Sequence, residues 1–97
     1  MPDFLSDDEL GLIRERCAAA TPGPWTSLIE GRDHTSGSSC IKTAGEDIEL
    51  SGATIADHDF IAHARQDIPR LLNEITELRR LASAARLLRR LRSADTT

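Results

Sequence analysis

The feature that most constrains the fold is a long C-terminal stretch without a helix breaker. No glycine occurs after residue 52, and no proline occurs after residue 69. Apolar residues recur at alternating steps of three and four: Ile68, Leu71, Ile75, Leu78, Ala82 and Ala85. This is the spacing of a coiled-coil seam, held for about two and a half heptads. The pattern predicts a long amphipathic, arginine-rich helix over residues 67–93, with Asp67 as N-cap and Pro69 in the first turn.

Such a helix is too long for the rest of the chain to cover. A helix of about 25 residues measures about 38 Å at 1.5 Å per residue. The 97 residues include only three aromatic side chains and no valine, so the core must consist mainly of Leu, Ile and Ala. We therefore predict that the C-terminal half of the helix mediates oligomerisation, with a homodimer favoured, or contacts another protein. The expected interface comprises Ile75, Leu78, Ala82, Ala85, Leu88 and Leu91.

The N-terminal segment predicts another helix, over residues 7–20. Ser6 and Glu9 have the spacing of a capping box, and acidic residues fill the first turn, where the helix dipole favours them. One apolar stripe follows the helical period: Leu10, Ile13, Cys17 and Ala20. The sequence TPGPW, residues 21–25, then ends the helix, because each proline disfavours the helical conformation in the residue before it. We expect this stretch to aim the Trp25 ring at the core, against Phe60.

The middle of the chain predicts a small antiparallel β-meander of about three strands over residues 25–52. Its candidate strands are WTSLIE, CIKT and DIELS, separated by a polar loop and a short turn. A short helix over residues 57–66 follows, with Asp57 as N-cap. The chain is thus expected to be one α+β domain over residues 1–97.

The sequence gives no sign of a membrane protein. No apolar run reaches the length of a bilayer, and the acidic N-terminus lacks the basic and apolar regions of a signal peptide. We expect a cytoplasmic protein in which Cys17 and Cys40 are reduced thiols with a structural role.

Charge is distributed unevenly between the two parts of the chain. Residues 1–59 contain twelve acidic and four basic side chains, and residues 60–97 contain four acidic and eight basic ones. A basic surface is predicted at Arg79, Arg80, Arg86, Arg89, Arg90 and Arg92. It could contact nucleic-acid phosphates, but no aromatic residue lies among these arginines to stack on a base. A solvated helix face or a charged protein interface is the favoured interpretation.

A small-ligand site is a second hypothesis. Asp59 and His63 are four residues apart on one helical face, a spacing that suits a metal or a carboxylate-oriented imidazole. An exposed polar pair is the favoured interpretation, and we assign no metal and no cofactor. Trp25 could stack on a nucleotide base while Arg65, or the C-terminal arginines of a neighbouring subunit, bind its phosphate. Because no nucleophile elbow, phosphate loop or paired metal-ligand motif occurs, we expect no enzymatic activity.

Two stretches resemble small uncharacterised phage and prophage proteins of the Ead-like kind. The matching residues are TPGPW at 21–25, the Asp-x-x-Phe-Ile-Ala pattern at 57–62, and Pro69, Leu71 and Leu72. The resemblance implies a non-enzymatic accessory protein of phage or prophage origin in a bacterial host. Such proteins bind a host or phage protein, for example to inhibit a defence component, or sequester a signal molecule.

Overall fold

The computed structural model describes residues 4–95. Its elements are α1 (Asp7–Ala19), β1 (Thr26–Leu28), β2 (Cys40–Lys42) and α2 (Ile55–Asp95). The α+β class, with an N-terminal helix, antiparallel strands and a long C-terminal helix, is confirmed. The radius of gyration is 20.4 Å, against about 13 Å for a compact domain of this size. This elongation comes from α2, which contains 41 residues in a molecule 74 Å long.

Helix α1 begins and ends as its sequence predicts. The Ser6 hydroxyl accepts a hydrogen bond from the Glu9 N–H, and the Glu9 carboxylate accepts one from the Ser6 N–H, both at 3.1 Å. At the other end, Ala20 has an extended backbone and donates its N–H to the Arg16 carbonyl. The prolines that follow prevent another helical turn.

The three-stranded meander is reduced to two strands and one bridge. β1 and β2 are antiparallel, with Ser27 opposite Ile41. On its other edge, Ile41 exchanges two backbone hydrogen bonds with Ile48, at 2.8 and 2.9 Å. This bridge is the whole of the expected third strand, because the chain turns soon afterwards. Gly52 adopts a φ of +78° in that turn, a conformation that glycine tolerates best.

Helix α2 is continuous, so the expected short helix over 57–66 does not exist as a separate element. It begins at Ile55, and Thr54 and Asp57 exchange hydrogen bonds at 2.9 and 3.1 Å in the manner of a capping box. Asp57 therefore lies within the first turn and is not the N-cap. Asp67 is likewise an interior residue and caps no second helix.

Pro69 lies inside α2 without ending it. Its ring removes the hydrogen bond that the Arg65 carbonyl would accept, which normally kinks or breaks a helix. Here, tertiary contacts hold the helix on both sides of the proline. Gln66 bonds to the backbone of Trp25, and Leu72 is buried. These contacts override the local signal on which the predicted break depended.

Helix α1 lies antiparallel to α2. Near the start of α1, Arg79 bonds to the Leu5 carbonyl and to Asp7, and past its end Arg65 bonds to the Thr21 carbonyl. The buried apolar residues that form the core are Leu10, Ile29, Cys40, Ile41, Ala62 and Leu72. Cys17 is half-buried, and both cysteines are free thiols. Neither helix, within residues 4–95, has an apolar stretch long enough to cross a bilayer.

Candidate interaction surfaces

The continuity of α2 lengthens the apolar seam. Ile61 and Ala64 continue the three-and-four spacing backwards, so the seam consists of Ile61, Ala64, Ile68, Leu71, Ile75, Leu78, Ala82 and Ala85. It now extends over about three and a half heptads, a length at which this spacing is a strong coiled-coil signal. No seam residue is buried, and Leu71 and Leu78 are 60% and 56% exposed. The sequence prediction missed the first two positions because it ended the helix before residue 67.

Beyond the folded body, α2 continues as an exposed segment, residues 80–94, which we call the distal arm. Every residue of the distal arm is exposed. Arg86, Arg89 and Arg90 lie on one side, around a shallow depression that Ser93 also lines. At 100° per residue, Leu81, Leu88 and Leu91 fall on a different side. The distal arm is therefore a basic amphipathic helix, and the predicted interface residues Leu88 and Leu91 do not share a face with the seam.

Part of the predicted basic surface is engaged within the chain. Arg79 forms an ion pair with Asp7 at 3.1 Å and donates to the Leu5 carbonyl at 2.7 Å. Arg80 forms an ion pair with Glu77 at 2.6 Å, which raises the pKa of Arg80 and lowers that of Glu77. The arginines at 86, 89, 90 and 92 form the more distal part of the surface, and all four are exposed.

An apolar groove, called the groove below, lies between α1 and the seam. It is lined by Ile13, Arg16, Cys17 and Ala20 of α1, by Trp25, and by Phe60, Ile61, Ala64, Arg65 and Ile68 of α2. It has a volume of about 340 Å³. Phe60 is 75% exposed, so it is not the core partner of Trp25 that the sequence predicts. The two rings instead line the same open groove.

The backbone around Trp25 is held closely. Gln66 bonds to both the N–H and the carbonyl of Trp25, and the indole N–H donates to the Thr21 carbonyl at 3.0 Å. Arg65 donates to the same carbonyl, also at 3.0 Å. A Cβ at Gly23 would lie 3.3 Å from the Gln66 side chain, so a larger residue there would press on the side chain that holds Trp25. The TPGPW stretch thus docks the strand entry onto α2.

Asp59 and His63 lie one helical turn apart in α2, but their side chains form hydrogen bonds with other groups. The Asp59 carboxylate forms two hydrogen bonds with the Arg32 guanidinium, at 2.8 and 3.0 Å. These bonds lower the pKa of Asp59 to about 2 and raise that of Arg32. The His63 ring donates to the Asp59 backbone carbonyl at 2.8 Å. Among the residues that the structure describes, no group of three or more ligating side chains could hold a metal ion.

Sequence patterns did not indicate the environment of His58. This side chain is 4% exposed, and its Nδ1 donates to the Thr54 carbonyl at 2.9 Å. Its buried Nε2 has no hydrogen-bond partner within residues 4–95. Its neighbours in sequence, Asp57 and Asp59, are exposed or half-buried, so composition alone suggested a surface cluster.

Comparison of the chain with protein families, curated proteins and solved structures found no match. The seam, the groove and the distal arm are therefore the features from which we infer a function.

Proposed function

We propose that this chain is a non-catalytic protein-interaction module, in which α2 binds a second copy through the seam and a further protein through the distal arm. The observation that carries the proposal is the exposure of α2: its apolar seam faces outward, and residues 80–94 are all exposed. Exposed apolar surface of this extent marks an interaction site in a soluble protein.

The spacing of the seam supports the proposed self-association. Isoleucine occupies three of its four a positions and leucine two of its four d positions, counting Ile61 as a and Ala64 as d. Side chains in this order pack as knobs into holes between two helices. Burying Leu71 and Leu78 against a second copy contributes about 1.5–3 kcal/mol per side chain when burial is complete.

The distal arm has the chemistry of a surface that binds an acidic, partly apolar partner. Its arginines form charge-assisted hydrogen bonds with carboxylates, and its leucines suit a hydrophobic groove. The resemblance to phage and prophage accessory proteins suggests that the partner is a host or phage protein. In that setting, the chain acts in the bacterial cytoplasm, for example by inhibiting a defence component.

Sedimentation velocity tests the self-association directly. We expect the wild-type chain to be a dimer at tens of micromolar concentration, and Leu71→Gln/Leu78→Gln to be monomeric with an unchanged helical circular dichroism signal. Leu87→Gln is the matched control, because Leu87 is 57% exposed on α2 but lies outside the seam. A wild-type chain that stays monomeric throughout would refute the proposal.

Small-ligand binding is a second candidate, supported by the position of Trp25, Phe60 and Arg65 around one groove. The rings could stack on a base, and the guanidinium could bind a phosphate. Titration of a nucleotide panel with Trp25 fluorescence as the readout tests this candidate. Saturable quenching would support it, and no response from any nucleotide would remove it.

Nucleic-acid binding through Arg86, Arg89, Arg90 and Arg92 is a third candidate. Neutralising phosphates with these side chains predicts an affinity that falls steeply with salt concentration. Fluorescence anisotropy with labelled duplex DNA, at several salt concentrations, is the test. We expect no salt-dependent complex, because the leucines of the distal arm favour a protein partner over a phosphate backbone.

A further inference from the structure

Phe60 is an exposed aromatic residue that lines the apolar groove. Its side chain is 75% exposed, although the chain contains only three aromatic residues with which to build a core. The groove is lined mainly by apolar side chains, and the Arg65 guanidinium in its lining already donates to the Thr21 carbonyl. An apolar ring suits this lining better than a polar ligand does.

The seam residues are compatible with a parallel pair of α2 helices. Within parallel coiled coils, isoleucine at a positions, as at Ile68 and Ile75, combined with leucine at d positions, as at Leu71, favours two strands over three or four.

Charges beside the seam favour the same orientation. Asp67 and Glu74 occupy g positions, and Arg65, Arg79 and Arg86 occupy e positions. An antiparallel pair centred on the seam would place Glu74 beside Glu74 of the second copy, and Arg65 beside Arg79 of the second copy. A parallel pair instead places Glu74 beside Arg79 of the second copy, so opposite charges meet.

A parallel pair also determines what fills the groove. Phe60 is itself at a g position, so in a parallel pair it lies beside the e position of the following heptad in the other helix. That position is Arg65, in the lining of the groove. We propose that two copies pair in parallel along the seam and that Phe60 of each copy fills the groove of the other.

The proposed contact is self-complementary. A two-fold axis parallel to α2 repeats it, so both grooves and both Phe60 rings are used. The ring contacts Ile13 and Cys17 of the second copy, and Arg65 of that copy lies at its face in a cation–π arrangement. Helix α1 thereby becomes part of the interface, and its partly exposed stripe is covered. This inference rests on the proposed self-association but specifies its orientation and its central contact.

Disulfide cross-linking tests the orientation. In a Cys17→Ala background that is first shown by sedimentation to remain a dimer, Ala85→Cys places one thiol at a d position of the seam. Parallel pairing brings the two copies of this thiol together, so mild oxidation is expected to give a covalent dimer. The double variant Ile61→Cys/Ala85→Cys detects the antiparallel alternative, in which Ile61 faces Ala85 of the second copy.

The cross-linking outcomes separate the inference from the proposal on which it rests. If the chain sediments as a dimer and Ala85→Cys alone gives the covalent cross-link, the parallel pair is supported. A sedimenting dimer that cross-links only in the double variant overturns the parallel pair and leaves self-association intact. A monomer overturns both.

Phe60→Ala tests the groove contact. Because the ring is exposed within one chain, we expect its loss to leave the fold unchanged and to raise the dimer dissociation constant by about tenfold or more. Leu12→Ala is the control: Leu12 is 51% exposed on α1 but does not line the groove, so its dimer is expected to match the wild type. Dilution should also shift the Trp25 emission of the wild type, because the Phe60 ring of the second copy leaves the groove when the dimer dissociates. An unchanged dissociation constant for Phe60→Ala would overturn the contact and leave the groove to another ligand.

Discussion

Gln66 forms two hydrogen bonds with the backbone of Trp25, as a neighbouring β-strand would. Its Oε1 accepts from the Trp25 N–H at 2.7 Å, and its Nε2 donates to the Trp25 carbonyl at 3.1 Å. The same Nε2 also donates to the Ala62 carbonyl within α2. The Gln66 side chain thus holds the residue that precedes β1 against α2, three residues before Pro69.

Replacing Gln66 tests this attachment. Gln66→Leu leaves a partly buried N–H and carbonyl of Trp25 without partners, so we expect the free energy of unfolding to fall by about 1–3 kcal/mol. Gln66→Glu keeps the acceptor but loses the donor, and it should lie between Gln66→Leu and the wild type. Urea unfolding followed by circular dichroism measures both variants. A Gln66→Leu midpoint equal to that of the wild type would contradict the role.

The Arg32–Asp59 pair predicts a specific acid sensitivity. Because the Arg32 hydrogen bonds lower the folded-state pKa of Asp59 to about 2, its ionised form favours the folded state. This stabilisation is fully present above the unfolded-state pKa of about 4 and is lost as the pH falls towards 2. The melting temperature of the wild type should therefore fall more steeply than that of Asp59→Asn between pH 4 and pH 2. Asp67→Asn, which replaces an exposed carboxylate on the same helix, should follow the wild type; parallel curves for all three chains would argue against the pair.

Arg14 joins α1 to α2 more directly than the apolar stripe alone suggests. Its guanidinium donates to the Leu72 carbonyl at 3.1 Å and to the Thr76 hydroxyl at 2.7 Å. Arg14→Met keeps the aliphatic stem but removes these bonds, and the site is solvent-exposed, so we expect a loss of about 1 kcal/mol in unfolding free energy. Arg16 lies two residues further along α1 and lines the groove, so Arg16→Met should lower the unfolding free energy by less. Thermal melts at low protein concentration measure both, and equal losses would show that the effect is not specific to Arg14.

The local elements of the fold could be predicted from sequence because their signals are local. The capping residues Ser6 and Glu9 and the prolines of TPGPW determine the ends of α1 within one residue. The antiparallel pairing of the WTSLIE and CIKT segments was predicted as well, although the strands are shorter.

Long-range contacts decided the features that sequence patterns missed. Asp67 and Pro69 resemble the start of a helix, yet Gln66 and Leu72 hold α2 together through contacts distant in sequence. Arg32 lies 27 residues from Asp59, and no periodicity reveals that these two side chains meet. The groove likewise depends on how α1 lies along α2, which residue spacing does not specify.

The continuity of α2 through Pro69 gives the last prediction. Alanine at this position restores the missing backbone hydrogen bond and removes the ring, so Pro69→Ala is expected to raise the free energy of unfolding by about 1–3 kcal/mol. Gly11→Ala in α1 calibrates the measurement: no atom outside its own helical turn lies within 4 Å of the added Cβ, so a gain of about 0.5–1 kcal/mol is expected.

Asp67→Ala separates a continuous helix from one that begins at residue 68. In a continuous helix Asp67 is an exposed interior residue, so its replacement should leave the stability unchanged or slightly raised. If Asp67 capped a separate helix, Asp67→Ala would cost about 1 kcal/mol and Pro69→Ala would bring no gain, because proline is tolerated in a first turn. Urea denaturation of the three variants therefore tests whether the seam extends across Pro69, which the parallel pairing of two copies requires.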